Sequence, residues 1–234
     1  MIKRIVIFGT SHSVGHGLAD WTINDMDKPS QFSWPSIVSK ILDIEVINHS
    51  KAGSGIDLMY YDILEYCIKE SKQDDLVIVQ LPGQMHRFSL ITDENEKLKT
   101  YRIHGPGYFD GHNKNKNKLL QSFYMLTSDN HWIRNWLGYK SAITSILTLH
   151  KINFFGYVCS DSYGSWWKTQ FKDKKLYDQF ELLNSFHKDK WLNESFSNWL
   201  DKKYPATKMI CGHYDDAGHA AWAKEIIIPA IKSF

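Results

Sequence analysis

The chain has 234 residues, 43% of them hydrophobic and 23% charged, which is typical of a globular protein. A formal net charge of +2 argues against a dedicated nucleic-acid-binding protein, and the three cysteines lack the CxxC spacing of a zinc site. No apolar stretch approaches the roughly 20 residues that span a bilayer, and the apolar run near the N-terminus is too short for a signal peptide. We therefore expect a cytoplasmic protein with neither a nucleic-acid nor a membrane partner.

Four short apolar runs have the composition of buried parallel strands, at residues 5–8, 45–48, 76–81 and 153–158. Helical patterns lie between and after them, at residues 33–42, 56–71, 136–150 and 217–231. We expect Pro229 to kink or end the last helix. The alternation of strand and helix predicts an α/β fold, in which a mainly parallel sheet carries helices on both faces.

Two long stretches break this alternation, at about residues 88–130 and 161–207. We expect one domain over residues 1–234, with these stretches as insertions at the carboxyl ends of strands, where open α/β sheets bind ligands. The chain is rich in aromatic residues (14%), and most of them are expected to pack in the core. The alternative for Tyr163, Trp166 and Trp167 is a groove for a sugar or an acyl chain.

The first strand runs directly into the segment GTSHSVGHG, which contains Ser11. A serine that follows a strand and has glycines around it lies on a turn that exposes its hydroxyl and its backbone N–H, as a nucleophile requires. The alternative is a phosphate-binding turn or a plain loop. The segment lacks the GK[ST] of a Walker A loop, and its glycines do not have the GxGxxG spacing.

A second candidate side chain, His213, lies in the segment CGHYDDAGHA ahead of the last helix. In a doubly wound sheet this loop can reach the carboxyl end of the first strand. A single histidine is more often structural, but together with Ser11 it predicts a nucleophile and its general base.

Three segments carry a family resemblance. FGTSHSVG resembles the FGDSxxxG block of the GDSL (SGNH) hydrolases, with Ser11 at the nucleophile position and Thr10 in place of the usual Asp. GHYDDAGHAAWA is similar to the last block of that family, which places His213 at the general base. The segment from Asn48 to residue 55 is similar to the second block, with Gly53 on the glycine that lends its N–H to the oxyanion hole.

The resemblance implies a flavodoxin-like three-layer α/β/α architecture with a mainly parallel central sheet, the SGNH hydrolase fold. It also implies acyl-enzyme chemistry on an ester, with no cofactor and no metal. The expected partner is a small-molecule or glycan ester substrate, and nothing in the sequence indicates an oligomeric state.

The chain departs from the family in its third block. The family pattern GxND supplies an asparagine side chain to the oxyanion hole, but here the third strand ends in QLPGQMHR. Gln84 is the candidate for a replacement amide, and Arg87 for binding a substrate carboxylate or phosphate. Loss of one oxyanion donor typically costs roughly 3 to 4 kcal/mol of transition-state stabilisation.

The chain also lacks the family's acid, an Asp two or three residues before the histidine. The candidates to replace it are Asp161, just past the fourth strand, and Asp215 and Asp216, which follow His213. A backbone carbonyl can also orient the imidazole, so we expect at least a Ser–His dyad.

The predicted function is that of a serine esterase for small acyl groups, with carbohydrate O-acetyl esters as the favoured substrates. The main alternative is an SGNH fold with weakened catalysis that binds glycans or has a structural role. Two further alternatives are less well supported. One is a metal site, in which His12 and His16 converge with His49, His86, His213 and His219; the other is a nucleotide-binding Rossmann domain, whose fingerprint is absent.

Overall fold

The computed structural model describes residues 2–22, 28–83, 88–94, 97–103, 129–160, 178–179, 181–182, 185–209 and 212–234. Six strands lie in these residues: β1 (Arg4–Phe8), β2 (Glu45–Asn48), β3 (Asp75–Leu81), β4 (Phe88–Glu94), β5 (Lys97–Ile103) and β6 (Asn153–Val158). Strands β1, β2, β3 and β6 form a wholly parallel sheet in the order β2-β1-β3-β6. These are the four strands that the apolar runs predict.

Besides two short 3₁₀ helices and one π turn, seven α-helices accompany the strands in the described part of the chain. They are α1 (Ser11–Val14), α2 (Trp34–Leu42), α3 (Ile56–Lys69), α4 (Asp129–Leu149), α5 (Phe196–Lys203), α6 (Asp216–Trp222) and α7 (Ile228–Lys232). Helix α4 begins well before residue 136, where the sequence placed its start, and the added turns bury Trp132 and Ile133. None of the described helices is both long enough and apolar enough to cross a bilayer.

Alternate residues of the central strands feed two separate apolar layers, as the two-residue period of a strand requires. Val6 and Val77 point to one face and pack with residues of α3 and α4. Ile5 and Leu76 point to the other face and pack with residues of α2, α5, α6 and α7. The predicted three-layer α/β/α architecture is therefore confirmed.

The chain continues as a helix past Pro229 instead of ending there. Proline has no N–H for the carbonyl four residues before it, and its ring crowds that carbonyl. One wider π turn, Ala223–Ile227, precedes the proline and joins α6 to α7. This local widening relieves the clash, so Ile227 and Ile231 still pack in the core.

The described tryptophans of the second expected insertion, Trp191 and Trp199, belong to the core. Trp191 packs in the layer with α3 and α4, and Trp199 in the opposite layer. The core role that we expect for most aromatic residues holds for these two. Tyr163, Trp166 and Trp167 lie outside the described residues, and their role stays a prediction.

Strands β4 and β5 pair antiparallel as a hairpin separate from the central sheet, with Phe88 opposite Ile103. No strand was predicted in this stretch. In the chain, β3 ends at Leu81 and the hairpin begins at Phe88.

Candidate active site

The structure brings Ser11 and His213 together at the carboxyl end of β1. Ser11 is the first residue of α1, three residues beyond the end of the strand. His213 lies in the loop before α6, and its Nε2 is 3.0 Å from the Ser11 Oγ, although 202 residues separate the two in the chain. This is the distance at which an imidazole can accept the proton of a nucleophilic hydroxyl.

The nucleophile turn is tight because Gly9 has no side chain. A Cβ on Gly9 would lie 2.5 Å from the Ser13 Oγ and 2.8 Å from the Ser50 Oγ, closer than real Cβ atoms come. The turn ends at Gly15, whose φ of +88° lies in the left-handed region that favours glycine. Close contacts therefore favour glycine at position 9, and the backbone conformation favours it at position 15. Both agree with the prediction of a turn that exposes a serine.

Gln80, near the end of β3, holds the nucleophile turn by side-chain hydrogen bonds. Its side chain is fully buried, and its Oε1 accepts hydrogen bonds from the Thr10 N–H (3.2 Å), the Thr10 hydroxyl (3.1 Å) and the Ser13 hydroxyl (2.7 Å). Sequence reasoning missed this residue. The available signal was an amide side chain in the otherwise apolar run LVIVQL, because a buried polar group needs partners.

Asn48, which ends β2, uses its amide to join two loops. Its Nδ2 donates to the Ser13 carbonyl at 2.8 Å, and its Oδ1 accepts from the Ser50 N–H at 3.1 Å. Gly53 lies on the same loop after β2 with a φ of +72°. The backbone N–H groups of Ser11 and Gly53 donate to no atom of the described residues, so both remain available to a ligand.

A cleft of about 470 Å³ opens at Ser11 and His213. Its far wall carries an ion pair in which the Lys208 Nζ lies 3.0 Å from the Asp201 Oδ1. The Tyr214 hydroxyl donates to the same carboxylate at 2.8 Å. The remaining lining is mostly small or polar: Thr10, His12, Pro82, Gly83, Cys159, Ser160, Ser197, Asn198 and Gly212. Such a surface suits a ligand with several hydroxyl groups.

Two further histidines flank the His213 ring. The His16 ring stacks on it, with centroids 4.5 Å apart and planes within 13°, and the His12 centroid is 4.6 Å away. Burial lowers the pKa of His16, which favours its neutral form. The His16 contact is between ring faces, whereas a shared metal would need the in-plane nitrogens to converge. No metal-binding group of three or more His, Cys, Asp or Glu exists among the described residues.

His219 lies in α6 and joins that helix to α2. Its Nδ1 accepts a hydrogen bond from the Trp34 N–H at 3.1 Å, which places the proton of the neutral ring on Nε2. The side chain is fully buried, and burial, with a smaller contribution from His213, lowers its pKa to about 3. His219 therefore has a structural contact of its own next to the candidate base.

Of the three carboxylate candidates, the structure describes Asp215 and Asp216. Asp215 accepts from the Gly218 N–H at 2.9 Å and serves as the N-cap of α6. Asp216 is the first residue of that helix and is partly exposed. Asp161 lies outside the described residues, as do the oxyanion and binding candidates Gln84 and Arg87. The roles of Asp161, Asp216, Gln84 and Arg87 stay predictions.

No protein-family model matches the sequence, and no curated protein matches it either. Solved structures do match. The chain aligns with the psychrotrophic esterase EstA from a Pseudoalteromonas species at a TM-score of 0.56 and 12% identity, over 99% of this chain and 97% of that one. A lipolytic protein of the G-D-S-L family from Desulfitobacterium hafniense aligns at 0.51 and 13%, over 95% and 96%. The chain has the SGNH hydrolase fold.

The same fold occurs in a carbohydrate esterase family 2 enzyme from Corynascus thermopiles. It aligns with this chain at a TM-score of 0.53 and 14% identity, over 99% of this chain and 66% of the other. At such identities the comparison establishes the SGNH fold, and the chemistry of this chain has to be argued from its own residues.

Proposed function

We propose that this chain is a serine esterase that forms an acyl-enzyme on Ser11. The observation that carries the proposal is the 3.0 Å contact between the Ser11 Oγ and the His213 Nε2. That contact lies in an open, largely polar cleft at the carboxyl end of the sheet, where open α/β folds bind ligands. The SGNH fold of known esterases supports the assignment.

In the proposed reaction, His213 takes the hydroxyl proton as the Ser11 Oγ attacks the ester carbonyl. The tetrahedral intermediate collapses, and the protonated His213 returns the proton to the departing alcohol. A water molecule, deprotonated by the same imidazole, then attacks the acyl-enzyme and releases the acid, with Ser11 regenerated.

We propose the backbone N–H groups of Ser11 and Gly53 as donors to the oxyanion, with the Gln84 side chain as a third. The first two make no hydrogen bond within the described residues, which supports this role. Gln80 and Asn48 contribute indirectly, because their hydrogen bonds hold the turn and the loop that carry these amides. Such fixed donors stabilise charge that develops only in the transition state.

The substrate class that we favour is an O-acetylated carbohydrate or a similar small-acyl ester. The Asp201–Lys208 pair and the serine and asparagine side chains of the cleft offer both donors and acceptors to sugar hydroxyls. The fold similarity to a carbohydrate esterase family 2 enzyme is consistent with this choice.

A second candidate function is glycan binding with little or no turnover. The segments after β3 and before His213 lack the family's asparagine and aspartate, which favours this candidate. A structure entitled "The active site of a carbohydrate esterase displays divergent catalytic and non-catalytic binding functions" aligns at a TM-score of 0.55 and 12% identity, over 99% of this chain and 65% of the other.

The deciding experiment combines active-site labelling with turnover. The wild-type chain, Ser11→Ala and the control Ser233→Ala, whose serine is exposed near the C-terminus, are treated with a fluorophosphonate and analysed by mass spectrometry. The same proteins are assayed on an aryl acetate, on acetylated xylo-oligosaccharides and on longer-chain aryl esters. We expect one label on Ser11 in the wild type and in the control, and none in Ser11→Ala.

Full activity in Ser11→Ala would contradict the esterase assignment. An unlabelled wild type that binds the acetylated oligosaccharide without cleaving it would favour the glycan-binding candidate instead. Faster turnover of long-chain esters than of acetates would contradict the small-acyl preference alone.

A further inference from the structure

We propose that His12 and His16 are positioning residues whose rings hold the His213 ring in place, His16 by stacking on it and His12 by a tilted contact. The inference rests on the proposed esterase function and adds to it how the general base is held in place. It is carried by the arrangement of aromatic rings on both sides of His213.

Five rings in successive contact run from Trp21 through His16, His213 and His12 to Phe196, and the contacts of His16 with Trp21 and His213 are stacked. His213 contacts His16 and His12 at centroid distances of 4.5 and 4.6 Å. On the outer side, the Trp21 ring stacks on His16 at 3.9 Å. On the inner side, His12 packs on the fully buried Phe196 ring of α5 at 5.1 Å. The His213 ring is therefore confined between groups that are themselves held by the core and by Trp21.

The two supporting histidines belong to the nucleophile turn itself. His12 follows Ser11 directly in α1, and the His16 N–H donates to the Ser11 carbonyl at 2.9 Å. Gly15, in the left-handed conformation, turns the chain so that His16 lies close to Ser11 in space. Because the nucleophile and the rings that support its base share one rigid turn, the Oγ–Nε2 distance is maintained by local geometry.

Stacking also suits the charge that His213 acquires. When His213 takes the Ser11 proton it becomes a cation, and the face of an electron-rich neutral ring attracts a cation. Burial keeps His16 in its neutral form, as this role requires.

The test compares His16→Ala with His16→Phe, and uses His150→Ala, an exposed histidine at the end of α4, as the control. Alanine leaves one face of His213 unsupported, whereas phenylalanine restores a flat ring without nitrogens. Because misplacement of a reacting group by about 1 Å can cost 10²-fold, we expect His16→Ala to lower kcat on an aryl acetate by about 10- to 100-fold. KM should change by less than about twofold, since ground-state substrate contacts are untouched.

We expect His16→Phe to recover most of the lost kcat, and the rate of Ser11 labelling by a fluorophosphonate to follow the same order. Trp21→Ala, which removes only the outer ring, should give a smaller loss of kcat. Circular dichroism and thermal unfolding show whether each variant is folded. If His16→Ala does not fold, the comparison of Trp21→Ala with the wild type decides.

An unchanged kcat in His16→Ala and in Trp21→Ala would overturn the inference and leave the esterase function intact. Equal loss in His16→Ala and His16→Phe would also overturn it, because the ring nitrogens and not the stack would then matter. A wild-type chain that neither reacts with the phosphonate nor cleaves any ester would overturn the proposed function, and this inference with it.

Discussion

The Gln80 amide oxygen and the Ser13 hydroxyl, separated by 67 residues in the chain, form a buried hydrogen bond of 2.7 Å that fastens the nucleophile turn to β3. The same oxygen also accepts from the backbone and the hydroxyl of Thr10. One side chain of the central sheet thus satisfies three buried donors of the turn that presents Ser11.

Replacement of Gln80 by leucine should therefore be costly. Leucine leaves three buried donors without a partner, and because each unsatisfied group costs about 1–3 kcal/mol, we expect the free energy of unfolding to fall by about 3 kcal/mol or more. Urea unfolding measures the difference, with the exposed Gln73→Ala as control. Equal stability of Gln80→Leu and the control would show that the turn is held by other contacts.

His213→Ala should remove the general base but leave the fold intact. We expect kcat on an aryl acetate to fall by at least about 10³-fold, as is common when one member of a nucleophile–base pair is lost. Steady-state kinetics of the single variants and of Ser11→Ala/His213→Ala measure the coupling. The double variant should be no slower than Ser11→Ala, because the two side chains act as one unit. Multiplicative losses would mean that they act separately.

Two glycines should respond oppositely to alanine. A Cβ on Gly156, in β6, would lie 2.3 Å from the Trp191 ring, whereas a Cβ on Gly138, on the exposed side of α4, meets nothing within 4 Å. Overpacking costs typically 1–3 kcal/mol, so Gly156→Ala should lower the unfolding free energy by about that amount. Gly138→Ala should raise it by about 0.5–1 kcal/mol. Thermal unfolding measures both, and a stabilised Gly156→Ala would contradict the packing described for Trp191.

His219 should make the fold sensitive to acid. Its pKa is about 3 in the folded chain against 6.5 as the ordinary value, so the unfolded chain takes up this proton first. The stability that it contributes is complete above pH 6.5 and is lost as the pH falls towards 3, by about 1.4 kcal/mol per pH unit.

The matched variant is His219→Asn, in which the Asn Oδ1 can still accept from the Trp34 N–H but does not titrate. Between pH 7 and pH 5 we expect the wild type to lose about 2 kcal/mol more than this variant in urea unfolding. Parallel pH profiles of the two proteins would show that His219 is not the group responsible.

The central strands could be predicted from the sequence because their runs are apolar on both faces, as in LVIV of β3. The pairing of Ser11 with His213 followed from the order of the elements and from the flanking motifs. The hairpin of β4 and β5 could not be predicted in the same way, since it mixes charged and apolar residues and lies outside the central sheet.

Other features could not be predicted from the sequence because they depend on contacts between distant segments. The ring contacts of His213 with His12 and His16 join distant segments of the chain, so no local sequence pattern predicts them. The role of Gln80 depends on three donors that only the folded chain brings around its side chain. The π turn before Pro229 reflects a helix that is held by core packing on both sides of the proline.

The parallel sheet places β1 beside β3, whereas His213 follows Ser11 by 202 residues in the chain. A nascent chain on the ribosome therefore displays the serine hydroxyl long before the imidazole of its proposed base has been made. Under the proposed chemistry, ester cleavage begins only when α6, which follows His213, has docked. Turnover would thus report the docking of this helix, and fraying of α6 would silence the protein while the layer of core around α3 and α4 was still intact.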